Sequence, residues 1–202
     1  MPEESPAYYV RDLRFSLGAP EVFFQHTPWF TNVEKITVGI DSGIKFLSLG
    51  VPSLARLPQS VRSLAIEVSG SGIDLMQMRN IMAGLPNLND LILSGPSVAR
   101  SKSNKRLTGL GAVLRGRFGG ELQIRNGYTD EYIVNMLLEV PTGLHFTKLH
   151  VHAGRACLLQ TVRLAEACCK TLVNLLFSCA MHLGKSSPLP NILISLILTS
   201  TH

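Results

Sequence analysis

The chain has 202 residues, of which 46% are apolar and 16% charged, and its formal net charge is +5. That length and composition fit one ordinary domain or a short repeat array with a sizeable core, and they exclude a disordered chain. The positive balance suits weak attraction to acidic partners and is too small to identify a nucleic-acid binder.

The chain opens with Met1-Pro2-Glu3-Glu4-Ser5. A secretory signal would need a basic region and an apolar run there. From Val10 onward one pattern recurs: an apolar residue, two variable residues, an apolar residue, one variable residue, an apolar residue. Its first copies are Val10-Leu13-Phe15, Val33-Ile36-Val38 and Val61-Leu64-Ile66. The alternating pair that closes each copy predicts a strand, because strand side chains alternate between faces. Ser69-Gly70-Ser71-Gly72 then reads as a flexible connector. Leu75, Met78, Met82 and Leu85 follow at helical spacing.

Leu88-Leu91-Leu93 is the fourth copy, and Leu107, Leu110 and Leu114 mark a shorter helical segment. Leu122-Ile124 is a weaker fifth copy without the leading apolar residue at the same offset. Thr129 before Asp130 and Glu131 reads as a helix N-cap with acids in the first turn. Ile133, Met136, Leu137 and Val140 then line one helix face. Phe146-Leu149-Val151 is the sixth copy. Leu158, Val162, Ala165, Cys169 and Leu172 predict another helix, and Leu172-Leu175-Phe177 is the seventh copy. Pro28, Pro58, Pro86 and Pro141 punctuate the approaches to strands, where a helix must stop.

The middle positions of the copies are separated by 23, 28, 27, 31, 27 and 26 residues. Most of these gaps match the leucine-rich repeat. One strand–helix unit cannot bury its own apolar face, whereas stacked units share a continuous core. The predicted fold class is therefore α/β: an irregular leucine-rich-repeat-like solenoid of about seven units over residues 1–187. Its parallel sheet lies on the concave side, with helices and short turns outside. Seven strands give an inner sheet roughly 29 Å across. No Asn recurs at the turn after the strand, so uneven curvature is expected. Residues 188–202 are expected to form an apolar C-terminal tail, truncated or poorly ordered, with the array ending between units.

Several phrases resemble the repeat region of fungal F-box proteins, the leucine-rich-repeat-like substrate receptors of ubiquitin ligases. They are Leu85-Pro86-Asn87-Leu88-Asn89-Asp90-Leu91, Phe118-Gly119-Gly120-Glu121-Leu122, the run from Asn135 through Val140-Pro141-Thr142-Gly143 to Phe146, and the run from Val162 through Cys168-Cys169-Lys170 to Leu172. The resemblance covers most of residues 8–187 and implies a substrate-recognition surface. An F-box is a helical module that would precede the repeats, and here a strand pattern begins by Tyr9. The expectation is a substrate-binding half without the half that docks on the ligase adaptor. A fragment, a truncated gene product and a paralogue that lost its F-box all fit.

Chemistry-bearing clusters are sparse. His150 and His152 lie two apart on one strand, with His145 and Cys157 near in sequence. Zinc needs three or four ligands in fixed geometry, and the residues favour surface histidines with no metal. Cys157, Cys168, Cys169 and Cys179 make a poor disulfide framework and fit a reducing compartment. One of the adjacent pair is expected to face the core as a small hydrophobe. Gly109-Leu110-Gly111 with Gly116 lacks the preceding strand of a phosphate loop, and Gly119-Gly120 reads as a turn. Arg100, Lys102, Lys105, Arg106, Arg115 and Arg117 occur with no acid between Asp90 and Glu121. That stretch is either a grip for an acidic partner or a solvated insertion. No two carboxylates are placed together for acid–base work, so no catalytic residue and no cofactor is expected.

The leading functional expectation is a protein-interaction surface with a protein partner, and no enzyme. Its contacts would come from the variable strand positions Arg14, Thr37, Ala65, Ile92, Gln123, His150 and Leu176. A flanking row contributes Asp12, Lys35, Ser63, Asp90, Lys148 and Asn174. Nucleic acid is not favoured, since no aromatic residues are interleaved with the basic ones. No stretch approaches the roughly 18 apolar residues of a membrane helix, and a cytoplasmic or nuclear setting is expected. Two alternatives stay open: a degenerate repeat fragment with no independent function, and an enzyme on an α/β fold.

Overall fold

The computed structural model describes residues 5–16, 30–40, 59–69, 75–95, 109–125, 131–154, 158–181 and 192–199. Eight strands lie among them: β1 (Asp12–Ser16), β2 (Lys35–Ile40), β3 (Ser63–Val68), β4 (Asp90–Ser94), β5 (Glu121–Arg125), β6 (Lys148–Gly154), β7 (Asn174–Met181) and β8 (Ile192–Thr199). They form one open sheet in chain order. β1 to β7 run parallel, each beside the next, and β8 runs antiparallel to β7. The helices are α1 (Leu75–Ala83), α2 (Glu131–Leu138) and α3 (Leu158–Ala167). The chain is thus a mixed α/β protein with a seven-stranded parallel sheet and few helices. No helix among the described residues is long and apolar enough to cross a membrane.

The recurring apolar pattern sets the register. Leu13, Ile36, Leu64, Leu91, Leu122, Leu149 and Leu175 sit side by side across the seven parallel strands. Phe15, Val38, Ile66, Leu93, Ile124, Val151 and Phe177 form the next inward row in the same way. Both rows belong to or pack against one hydrophobic core, which the buried apolar residues of the helices share. Each fully buried Leu or Ile contributes roughly 1.5–3 kcal/mol of transfer free energy.

The units are joined by a hydrogen-bonded column where the strands begin. The Arg11 carbonyl accepts from both Glu34 and Lys35 N–H, at 2.8 and 3.0 Å. The Glu34 carbonyl accepts from Arg62 and Ser63, Arg62 from Asn89 and Asp90, Gly120 from Thr147 and Lys148, and Thr147 from Val173 and Asn174. A carbonyl has two lone pairs, so one acceptor serves two donors of the next unit. The longest gap departs from this rule. Asn89 O receives only Gly120 N–H there, and the Asp90 carboxylate accepts the Glu121 N–H at 2.7 Å in its place. Side chains add further stitches: Asn32 Nδ2 donates to Tyr8 O, Ser60 Oγ to Val33 O, Asn87 Nδ2 to Gln59 O and Thr147 Oγ1 to Gly120 O.

The helical spacings fare unevenly. Leu75, Met78, Met82 and Leu85 are all buried, as are Ile133, Met136, Leu137 and Val140. In α3 the buried stripe is Thr161 and Leu164, with Cys168 just beyond. Leu158 and Val162 are exposed, and so is Cys169. The stripe is therefore rotated by one residue from the one read in the sequence. The segment is apolar on too many sides for spacing alone to fix its inward face. The expected helix through Leu107, Leu110 and Leu114 is one turn of 3-10 helix, Gly111–Val113, between buried Leu110 and Leu114.

The weak fifth copy has a specific cause. Its leading position holds Gly119, and the core site is filled instead by Phe118, one residue earlier and fully buried. Phe118 adopts φ +44. Its ring meets Phe146 edge to face at 5.8 Å between centroids. The aromatic residue thus reaches the core from a shifted backbone position.

Ile192–Thr199, part of the tail read from the sequence, pairs along the whole of β7, from Asn174 opposite Thr199 to Met181 opposite Ile192. Its direction sets it apart from the seven parallel strands. Thr129, Asp130, Leu107, Cys157, Gly70–Gly72, and Arg100, Lys102, Lys105 and Arg106 lie outside the described residues.

Candidate functional site: the polar face of the sheet

Strand alternation sends every second side chain away from the core. A middle row therefore runs Arg14, Thr37, Ala65, Ile92, Gln123, His150, Leu176, in unbroken register across β1 to β7. A row nearer the strand starts holds Asp12, Lys35, Ser63 and Asp90, then Glu121, Lys148 and Asn174. A third holds Ser16, Gly39, Glu67, Ser94 and Arg125. None of these residues belongs to the core cluster.

The two halves of this face differ. Over β1 to β3 it is largely self-satisfied. Lys35 pairs with Asp12 at 3.3 Å, and Arg14 reaches across β2 to Glu67 at 2.5 Å. That crossing passes Gly39, the register neighbour of Glu67, which has no side chain to obstruct it. Thr37 and Ala65 are only 6% and 4% exposed. They keep their expected places in the row but offer little contact surface. These exposed ion pairs add little stability, yet they occupy the groups a partner would use.

Over β5 to β7 a connected network orders the surface. Glu121, Gln123 and Arg125 lie at i, i+2 and i+4 on one face of β5. Arg125 donates to the Gln123 side-chain oxygen, Oε1, and the Gln123 side-chain amide Nε2 donates to Glu121 Oε1. His150 Nδ1 lies 3.0 Å from the same Glu121 oxygen. Beside this network Lys148 is exposed and Asn174 half-buried, and neither side chain is engaged among the described residues. Ile92 and Leu176 are half-buried apolar side chains in the same row. The half of the face over β4 to β7 therefore offers a held His–Glu–Gln–Arg array, free polar groups and two apolar contacts.

Glu121, Glu67 and Arg125 were not among the expected contacts. Glu121 stands before Leu122 as Asp90 stands before Leu91, so alternation alone places it on the face. The Arg14–Glu67 crossing joins strands that are not neighbours, and nothing in the local sequence marks it.

His152 Nδ1 lies 2.6 Å from Ser178 Oγ, across β6 and β7. Activating a serine nucleophile also takes a group that orients the imidazole and free N–H donors for an oxyanion. No carboxylate is bonded to His152 among the described residues, and the strand N–H groups around it serve the β6–β7 ladder. His145 Nε2 lies 2.9 Å from Thr142 O. Among the described residues no three His, Cys, Asp or Glu side chains are grouped to hold a metal ion.

The adjacent cysteines separate cleanly. Cys168 is buried and Cys169 exposed. Burial pushes the Cys168 thiol from 9.0 up to about 11, partly opposed by its hydrogen bond with the Phe146 backbone. At neutral pH it carries about a hundredfold less thiolate than at its ordinary value. Iodoacetamide on the folded protein should therefore label Cys169 well before Cys168, read by peptide mapping. Equal labelling of both while the protein stays folded would contradict the burial.

Compared with known proteins, the chain matches no family model, no curated protein and no solved structure.

Proposed function

We propose that the chain is a protein-interaction solenoid of irregular leucine-rich type, acting as the substrate-recognition part of an F-box-like ubiquitin-ligase receptor in the cytoplasm or nucleus. One observation carries the reading: outward rows, mostly polar, lie in register across the parallel strands, and outside the buried Thr37 and Ala65 their side chains stay off the core. Repeat proteins use extended sheet faces of this kind for recognition. The unit-to-unit hydrogen-bond column supports a repeating architecture. The face over β4 to β7 is the natural contact area, with Ile92 and Leu176 as apolar anchors, the free Lys148 and Asn174 as directional contacts, and His150 held beside them by Glu121.

The test is comparative capture. The wild-type chain and a Lys148→Ala/His150→Ala/Asn174→Ala variant are used as baits in extract of the cells that make the protein. The variant should lose about tenfold or more of the specifically bound partner while keeping the wild-type circular dichroism spectrum and melt. Equal recovery by both baits would remove the face from consideration.

A further inference from the structure

The sheet has a second feature outside the polar face. Along its leading edge, where the strands begin, lies a cleft of about 510 Å³ whose lining includes Arg11, Glu34, Arg62, Asn89 and Arg117. Three arginines and one glutamate are among the lining residues. Arg11 is already engaged: its Nη1 lies 3.6 Å from Glu34 Oε1 and donates to Asn32 O at 3.1 Å. Arg62 and Arg117 are exposed, and their side chains have no hydrogen-bond or ion-pair partner among the described residues. Asn89 sits between them. Its Oδ1 accepts the Gly119 N–H at 3.2 Å, and its Nδ2 has no partner among the described residues. The cleft lining thus includes two arginines and two side-chain amides, those of Gln59 and Asn89, whose donors are unpaired among the described residues, and its one carboxylate is already bridged.

The hydrogen-bond column fixes the spacing of the backbones that carry these groups. Asn89 N–H donates to the Arg62 carbonyl, and Arg117 N–H donates to the Leu88 carbonyl. The backbones of Arg62 and Arg117 are therefore two strand spacings apart, about 10 Å. A polyproline-type peptide advances about 9 Å in three residues and returns its side chain to the same side. Two carboxylates three residues apart repeat at the spacing of the two arginine backbones, so that each carboxylate can pair with one guanidinium group in a fork. Asn89 Nδ2 is left for a peptide carbonyl between them. The cleft lining includes no aromatic side chain for base stacking, which disfavours a nucleic-acid strand.

We propose that this cleft binds an extended acidic peptide segment, with Arg62 and Arg117 each holding one carboxylate. The inference rests on the protein-binding reading only in taking the ligand to be a peptide. Both arginines are exposed and Asn89 is half-buried, so the interaction is weak and weakens further with salt.

The test uses the full chain and dye-labelled, end-blocked peptides, read by fluorescence anisotropy. One peptide carries two glutamates flanking two prolines, a second has one glutamate changed to glutamine, and a third has both changed. The expected result is binding of the first, about tenfold weaker binding of the second and none of the third. Arg62→Glu/Arg117→Glu should abolish binding. The milder Arg62→Gln/Arg117→Gln should weaken it about tenfold or more, with unchanged thermal melts. Arg163→Glu/Lys170→Glu, the same charge change on and just after α3, should leave it within about twofold. Equal binding of the one-glutamate peptide overturns the two-arginine match. Equal loss in the α3 variant shows only the general field of a +5 chain and overturns the site. Displacement by inorganic phosphate at the peptide's own concentration overturns the peptide assignment in favour of a small-anion pocket. The Lys148/His150/Asn174 variant should bind the peptide normally, so failure of the sheet face and failure of the cleft are told apart.

Discussion

Replacing Phe118 with alanine is expected to lower the unfolding free energy by about 3–5 kcal/mol. Phe118 is fully buried and packs edge to face on Phe146, itself fully buried. Removing the ring opens a cavity at the junction of the fourth, fifth and sixth strands, and the neighbours refill it only partly. The positive φ of Phe118 would be about as unfavourable for alanine, so the measured loss reports packing and not backbone strain. Phe118→Leu keeps most of the volume and should cost about 1–2 kcal/mol. Urea denaturation followed by circular dichroism measures both. With a typical total of about 5–15 kcal/mol, the alanine variant should unfold at a clearly lower midpoint. A loss below that of Phe118→Leu would mean that the ring is not the core element of its unit.

Phe118 also shows where the sequence stopped being legible. The inward rows were readable because Leu13, Ile36, Leu64, Leu91, Leu122, Leu149 and Leu175 obey a two-residue alternation at near-constant spacing. Parallel pairing then forced them into one register. The middle outward row, from Arg14 to Leu176, followed at once, since a strand leaves only two faces. A residue that fills a core site from one position earlier breaks the template, and its left-handed backbone cannot be inferred from spacing. Two other features were invisible for the same kind of reason. The inward side of α3 depended on Leu164 and Cys168 winning over Val162 and Cys169, a contest among nearly equal apolar residues. The cleft at the leading edge depends on Arg62, Asn89 and Arg117, which are far apart in the chain and converge only through the unit-to-unit column. Arg117 was singled out with the basic stretch, and Arg62 carried no signal of its own.

Gly95→Ala should be the most damaging exchange of a single glycine at the other end of the strands. Gly95 follows β4 with φ +123, a conformation that residues with a side chain rarely adopt. A Cβ there would sit 2.1 Å from the Val68 carbonyl oxygen and 2.9 Å from Val68 Cβ. Neither can yield easily, because one is backbone and the other is rooted in β3. The Gly95 N–H meanwhile donates to Arg125 O at the end of β5. Backbone strain and the forced separation from β3 together should cost about 2–5 kcal/mol. Gly109→Ala supplies the control. Gly109 has φ +81 and nothing within 4 Å of the added carbon, so it reports strain alone, about 1–2 kcal/mol. Equal losses in the two variants, measured by urea denaturation, would show that close approach to β3 contributes nothing. A larger loss at Gly95 should come with faster amide exchange at Ser94 and Arg125. Gly95 joins the ends of β3, β4 and β5, so its backbone holds the trailing edge of the strands that present Ile92 and the Glu121–Gln123–Arg125 array. If that face binds a partner as proposed, loosening the edge should weaken capture with none of the proposed contact residues changed.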